Sequence, residues 1–114
     1  MSGNFKAILK GTDKIEVSYE DSKDKFVEVF TTSGHIKGFD LIADKLLYWT
    51  SKKIEILEVA KSSSLNISIV SSIEQKALRC LFASKDSFII STDYGFNLLT
   101  LMGQIKQSLV FPES

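Results

Sequence analysis

The chain has 114 residues, 44% of them apolar and 25% charged, enough for one modest core and too apolar for a disordered segment. Fourteen Lys and Arg balance fourteen Asp and Glu, and Arg79 is the single arginine, so there is no basic footprint for nucleic acid or an anionic membrane. The one cysteine, Cys80, precludes an internal disulfide, and no apolar run approaches the roughly 18 residues of a membrane helix, so the sequence reads as cytosolic and not membrane-spanning.

Helical periodicity is nearly absent. Runs rich in Ile, Val, Phe and Leu alternate with polar turn residues about every ten positions, which predicts an all-β meander. In chain order the expected strands are Phe5–Lys10, Lys14–Tyr19, Lys25–Thr31, Ile36–Ile42, Lys45–Thr50 and Ile54–Val59. Leu65–Ser71, Ala77–Ala83, Ser87–Ser91, Phe96–Leu101 and Ile105–Phe111 follow. The turns Gly11-Thr12-Asp13, Ser51-Lys52-Lys53 and Asp93-Tyr94-Gly95 carry the small and polar residues that tight reversals require. Pro112 falls after the last strand, where its missing N–H breaks no ladder. Lys14–Tyr19 alternates as a half-exposed strand should, whereas Leu46-Leu47-Tyr48-Trp49 and Ser87-Phe88-Ile89-Ile90 are apolar on both faces, as strands sandwiched between sheets must be.

Three segments, 7–17, 46–56 and 88–98, read as one hairpin written three times: an apolar strand, a short polar turn and a second strand opening on Ile15, Ile54 or Phe96. Ile15 to Ile54 is 39 positions and Ile54 to Phe96 is 42, and a period near 40 with four short strands per unit is the pattern of β-propeller blades of the WD40 kind. The expected organisation is a single all-β segment: a partial blade over 1–34, then blades over 35–72 and 73–114. A closed propeller needs about 160 residues, so the chain is expected to form an incomplete propeller of about three blades. The alternative fold is a closed up-and-down β-barrel, which the length also suits.

Catalytic and cofactor chemistry finds little support. His35 is the only histidine and has no companion ligand for a metal, and Cys80 lies within the apolar run Ala77–Phe82, where a buried thiol is inert. Nucleophile-elbow, P-loop and dinucleotide motifs are lacking. Glu16 and Glu28 can be imagined facing each other across a hairpin as a carboxylate pair, but their alternation with Lys14 and Lys25 favours a solvated sheet face. Asn66-Ile67-Ser68 matches a glycosylation sequon that a cytosolic chain does not use. The expectation is therefore a non-enzyme with no catalytic, metal or cofactor site. Tyr48, Trp49 and Tyr94 are the candidate partner-binding residues, because aromatics dominate interaction hot spots, with blade core as the competing fate of Tyr48 and Trp49.

From Ile36 to Ser114 the sequence resembles the amino-terminal propeller region of intraflagellar transport complex A subunits. The resemblance rests on His35-Ile36-Lys37-Gly38, Leu46-Leu47-Tyr48-Trp49, Lys53–Val59, Ser87–Ser91 and the tail Gly103-Gln104-Ile105-Lys106-Gln107-Ser108-Leu109-Val110-Phe111-Pro112-Glu113-Ser114. The Trp-Asp dipeptide that names WD repeats is absent, since Trp49 is followed by Thr50. The resemblance implies a scaffold in ciliary intraflagellar transport, serving the retrograde train and its membrane cargo, with other protein subunits or the rest of its own propeller as partners. The competing function, tied to the barrel, is a carrier of a lipid or another small apolar ligand.

Overall fold

The computed structural model describes residues 4–112; Glu113 and Ser114 of the tail quoted above lie outside them. It contains eleven strands: β1 Asn4–Leu9, β2 Lys14–Glu20, β3 Lys25–Thr31, β4 Gly38–Ile42, β5 Lys45–Trp49, β6 Ile54–Lys61, β7 Leu65–Ile73, β8 Arg79–Ser84, β9 Ser87–Ser91, β10 Gly95–Thr100 and β11 Ile105–Val110. They form three antiparallel sheets, each in sequence order: β1-β2-β3, β4-β5-β6-β7 and β8-β9-β10-β11. The all-β reading holds, and the sheets have the form of propeller-like blades, the first with three strands and the others with four. The barrel alternative fails on connectivity, because β7 and β8 do not pair and the wall is interrupted between sheets.

The repeat predicted from sequence is a repeat of register. The hairpin turns are flanked by Leu9↔Ile15, Trp49↔Ile54 and Ser91↔Phe96, which aligns β1 with β5 and β9. The first sheet therefore carries the counterparts of the second, third and fourth strands of the other two. Each turn closes the same way, with a backbone N–H bonded to a carbonyl three or four residues later: Lys10 to Lys14, Thr50 to Lys53 and Thr92 to Gly95.

Sheet faces follow the period of two. On the middle sheet, Leu46, Tyr48, Leu57 and Val59 point toward the first sheet and meet Ile15, Val17 and Tyr19. Leu47, Trp49, Ile54 and Ile56 point the other way and meet Cys80, Phe88, Ile90 and Leu99 of the third. Two-sided burial explains why the 46–49 run is apolar without interruption. Each fully buried Leu or Ile here contributes roughly 1.5–3 kcal/mol.

Polar ties supplement this packing. Phe82 N–H, on the free edge of β8, donates to Asp40 Oδ2 of β4 at 2.8 Å, and the Ser71 hydroxyl of β7 donates to the Leu101 carbonyl. Between the first and middle sheets, Lys61 Nζ lies 3.4 Å from Asp24 Oδ2 and 3.9 Å from Asp21 Oδ2, and 5.1 Å from the Tyr19 ring centroid. Backbone bonds from Lys23 and Asp24 and the Tyr19 hydroxyl bond hold the Asp21 carboxyl below the usual carboxylate range.

Two glycines are required by close approach. A Cβ on Gly38 would stand 2.3 Å from Cη2 of Trp49, and one on Gly95 would stand 1.9 Å from the Leu109 carbonyl oxygen. Observed strands depart from expectation at their ends. β4 begins at Gly38 rather than Ile36, because the Ile36 N–H is bonded to the Thr12 carbonyl of the first sheet. β7 runs on to Ile73, accommodated by a register irregularity at Ile56/Leu57.

Candidate interaction surface

Of the three aromatic candidates, two are interior. Tyr48 is fully buried between the first and middle sheets, and Trp49 is buried between the middle and third sheets with its ring against Gly38. The indole N–H of Trp49 has no hydrogen-bond partner among the described residues. Tyr94, at the tip of the β9–β10 turn, is 78% exposed. It lines a cleft of about 370 Å³ with Leu78, Asn97 and Leu109, where the segment before β8 passes the edge of the third sheet.

Tyr48 serves a buried polar network rather than a partner. Its cross-strand neighbour in the β5–β6 ladder is Glu55, a carboxylate only 5% exposed. The Tyr48 hydroxyl donates to Glu55 Oε1, and Lys53 Nζ lies 3.2 Å from Oε2. Burial alone would raise the Glu55 pKa, but hydrogen bonds from Tyr48, Lys53 and Ser72, with the Lys53 charge, outweigh it and hold the group below its ordinary value. Burial and the neighbouring carboxylate push the Tyr48 hydroxyl up. The arrangement fixes a buried anion and locks the β5–β6 hairpin to β7.

The remaining candidates separate in space. Glu16 is opposite Val29, while Glu28 is opposite Val17, so the two carboxylates project from opposite faces of the first sheet. They form no pair; Glu16 instead lies 3.9 Å from Lys10 Nζ. His35 is exposed, beside Lys52, Lys53 and Glu74, along a polar cleft of about 640 Å³. Cys80 is a free, fully buried thiol, and desolvation pushes its pKa up to about 12. Among the described residues no group of three or more His, Cys, Asp or Glu is placed to hold a metal ion, and no helix is long and apolar enough to cross a membrane.

An incomplete set of blades is expected to leave at least one face without a neighbour, and the structure places such a face on the third sheet. The third sheet buries Cys80, Phe88, Ile90 and Leu99 on the side toward the middle sheet. Its other side carries the cross-strand rows Arg79–Ser91–Phe96–Leu109 and Leu81–Ile89–Leu98–Gln107. Leu81 is 51% exposed, Ile89 37%, Phe96 42% and Leu109 64%, and Phe111 packs edge-on against Phe96 with centroids 5.3 Å apart. The corresponding outer side of the first sheet mixes Ile8, Val27 and Val29 with Lys6, Glu16, Ser18, Glu20 and Lys25. A double alternation, Leu81/Phe96/Leu109 beside Cys80/Ile90/Leu99, was the available signal: a sheet apolar on both sides expects neighbours on both. No protein-family model matches this chain, and a comparison with curated proteins likewise finds no match.

Proposed function

We propose that this chain is a non-enzymatic protein-interaction scaffold that forms part of a larger β-propeller, acting in the cytoplasm and cilium as a component of intraflagellar transport complex A. The observation that carries the scaffold reading is the outer face of β8–β11, where Leu81, Ile89, Phe96 and Leu109 stand open to solvent among Arg79, Ser91 and Gln107. An exposed apolar sheet face is costly in water and marks a surface meant to be covered. The ciliary assignment rests on the resemblance of the segments around Trp49 and the 103–114 tail to complex A propellers. The lipid-carrier reading depended on a closed barrel, and the three separate sheets leave it without that support.

Light scattering and binding of the apolar dye anilinonaphthalene sulfonate test the scaffold reading on the isolated chain. Self-association or strong dye binding, reduced by Leu81→Ser with Phe96→Ser, is expected. A cooperative, monodisperse monomer that extracts fatty acid from solution overturns it. A fluorescent fusion in a ciliated cell tests the assignment to transport: movement along the axoneme is expected, and a uniformly diffuse signal refutes it.

A further inference from the structure

Where the first sheet meets the middle one, at the end that carries the β2–β3 and β6–β7 turns, an ammonium group lies among two aromatic rings and two carboxylates. Lys61, the last residue of β6, places its Nζ 5.1 Å from the centroid of the Tyr19 ring and 5.7 Å from that of Phe26. The rings come from cross-strand partners in β2 and β3, with centroids 6.3 Å apart and planes inclined at 34°. Asp21 and Asp24, in the turn joining those strands, supply the acids. The first sheet sets up this surround by itself. The Tyr19 hydroxyl donates to Asp21 Oδ2 at 2.8 Å, and the backbone N–H groups of Lys23 and Asp24 donate to Asp21 Oδ1.

Lys61 fits the surround loosely. Its Nζ is 3.4 Å from Asp24 Oδ2 and 3.9 Å from Asp21 Oδ2, whereas a tight ammonium–carboxylate bond measures about 2.7–2.9 Å. The amine is held by charge and by ring faces more than by short hydrogen bonds. Such a surround suits an ammonium that carries methyl groups in place of N–H donors. The methyl groups set the nitrogen back from the carboxylate oxygens, weaken its hydration and lay C–H groups against the rings, as in the aromatic cages that recognise quaternary ammonium. Lys61 is also easily displaced. Half-exposed ion pairs of this kind contribute little, and the side chain can swing out while its backbone stays in the β6–β7 ladder opposite Leu65.

We propose that Tyr19, Phe26, Asp21 and Asp24 form a binding site for a methylated lysine side chain of a partner protein, and that Lys61 occupies this site in cis until such a side chain displaces it. The inference needs neither the open face of the third sheet nor the assignment to transport, so it stands or falls separately from them. Lys61 then acts as an internal competitor. With the site clear of Lys61 about one-tenth of the time, the apparent affinity for an incoming ammonium is about tenfold weaker than the intrinsic one.

Titration of the full chain with tetramethylammonium chloride, against sodium chloride at equal concentration, tests this through the ring resonances of Tyr19 and Phe26. Those resonances should shift with tetramethylammonium and not with sodium, and the dissociation constant should fall about tenfold in Lys61→Ala. Lys61→Gln keeps most of the stem over the rings and should act in the same direction. Asp24→Asn in the Lys61→Ala background, on an exposed turn, should weaken binding and leave the melting temperature unchanged. A short alanine-flanked peptide carrying trimethyllysine should bind at least about tenfold more tightly than the same peptide unmethylated. Rings unmoved by tetramethylammonium overturn the site, and the parent chain alone decides this if a variant fails to fold. Equal affinity for the two peptides overturns the methylated ligand, leaving a cation site without that selectivity. Equal affinity of the parent and both Lys61 variants overturns the role of Lys61 as occupant.

Discussion

Replacing Tyr48 by Phe removes one oxygen from a fully buried side chain and leaves the ring packing in place, so its effect reports the hydroxyl's bonds, chiefly that to Glu55 and in addition that with Ser33. Glu55 Oε1 then loses its tyrosine donor at a site only 5% exposed, where water cannot substitute. A hydrogen bond to a charged group is worth about 1.5–3 kcal/mol, and a buried unsatisfied acceptor costs a similar amount. At about 4 °C per kcal/mol for a domain of this size, the melting temperature should fall by roughly 6–12 °C. Trp49, the single tryptophan, is buried between sheets and reports urea unfolding by its fluorescence. The pH dependence has a definite sign. The folded-state pKa of Glu55 lies below its unfolded value near 4.5, so this contribution is fully present above that pH and lost as the pH falls through the lower folded value. In Tyr48→Phe the balance tilts back toward the effect of burial, so acid unfolding should begin at higher pH than in the parent. A double-mutant cycle with Glu55→Gln should show a coupling of about 0.5–3 kcal/mol. A Tyr48→Phe protein within about 0.5 kcal/mol of the parent, with an unchanged acid limb, would refute the argument.

Gly38→Ala should destabilise by about 1–3 kcal/mol in urea, because the new Cβ lies 2.3 Å from a Trp49 ring that the third sheet holds in place; an unchanged midpoint would mean that the ring moves freely. Cys80 should be inert to a thiol-specific reagent at pH 8 in the folded protein and react fully after urea unfolding, since it is buried and its pKa lies near 12; rapid labelling without denaturant would show that the third sheet opens readily.

The strands were legible because the chain obeys the period of two and punctuates it with turn residues: β3 and β9 fall at the expected limits. The middle sheet was legible as well, since Leu46-Leu47-Tyr48-Trp49 has no polar position and only a strand covered on both sides tolerates that. Pairing depends on register, which residue types alone do not specify. Glu16 and Glu28 belong to adjacent strands, yet a one-residue offset in the ladder sends them to opposite faces. The same property conceals Glu55, which looks like one more surface acid until Trp49↔Ile54 places it directly across from Tyr48. A glutamate between two isoleucines was the available clue, and a hydroxyl across the strand was its answer. The open face of β8–β11 takes two readings together: an incomplete set of blades leaves a terminal face uncovered, and the alternation of Leu81, Phe96 and Leu109 with Cys80, Ile90 and Leu99 marks the third sheet as apolar on both sides.

In every sheet each strand pairs only with its neighbours in sequence, and this has a consequence for how the protein is made. Hairpins form in about 1–10 μs, whereas a ribosome adds about 5–20 residues per second, so each sheet of some 40 residues takes about 2–8 s to emerge and can pair its strands as they appear. Strand order therefore poses little kinetic problem, and contact order stays low for a β protein. The hazard lies between sheets. Once β4–β7 has formed, Leu47, Trp49, Ile54 and Ile56 face solvent for seconds until β8–β11 has been synthesised. That interval, rather than the search for the correct strand pairing, is when the nascent chain is most in need of a chaperone.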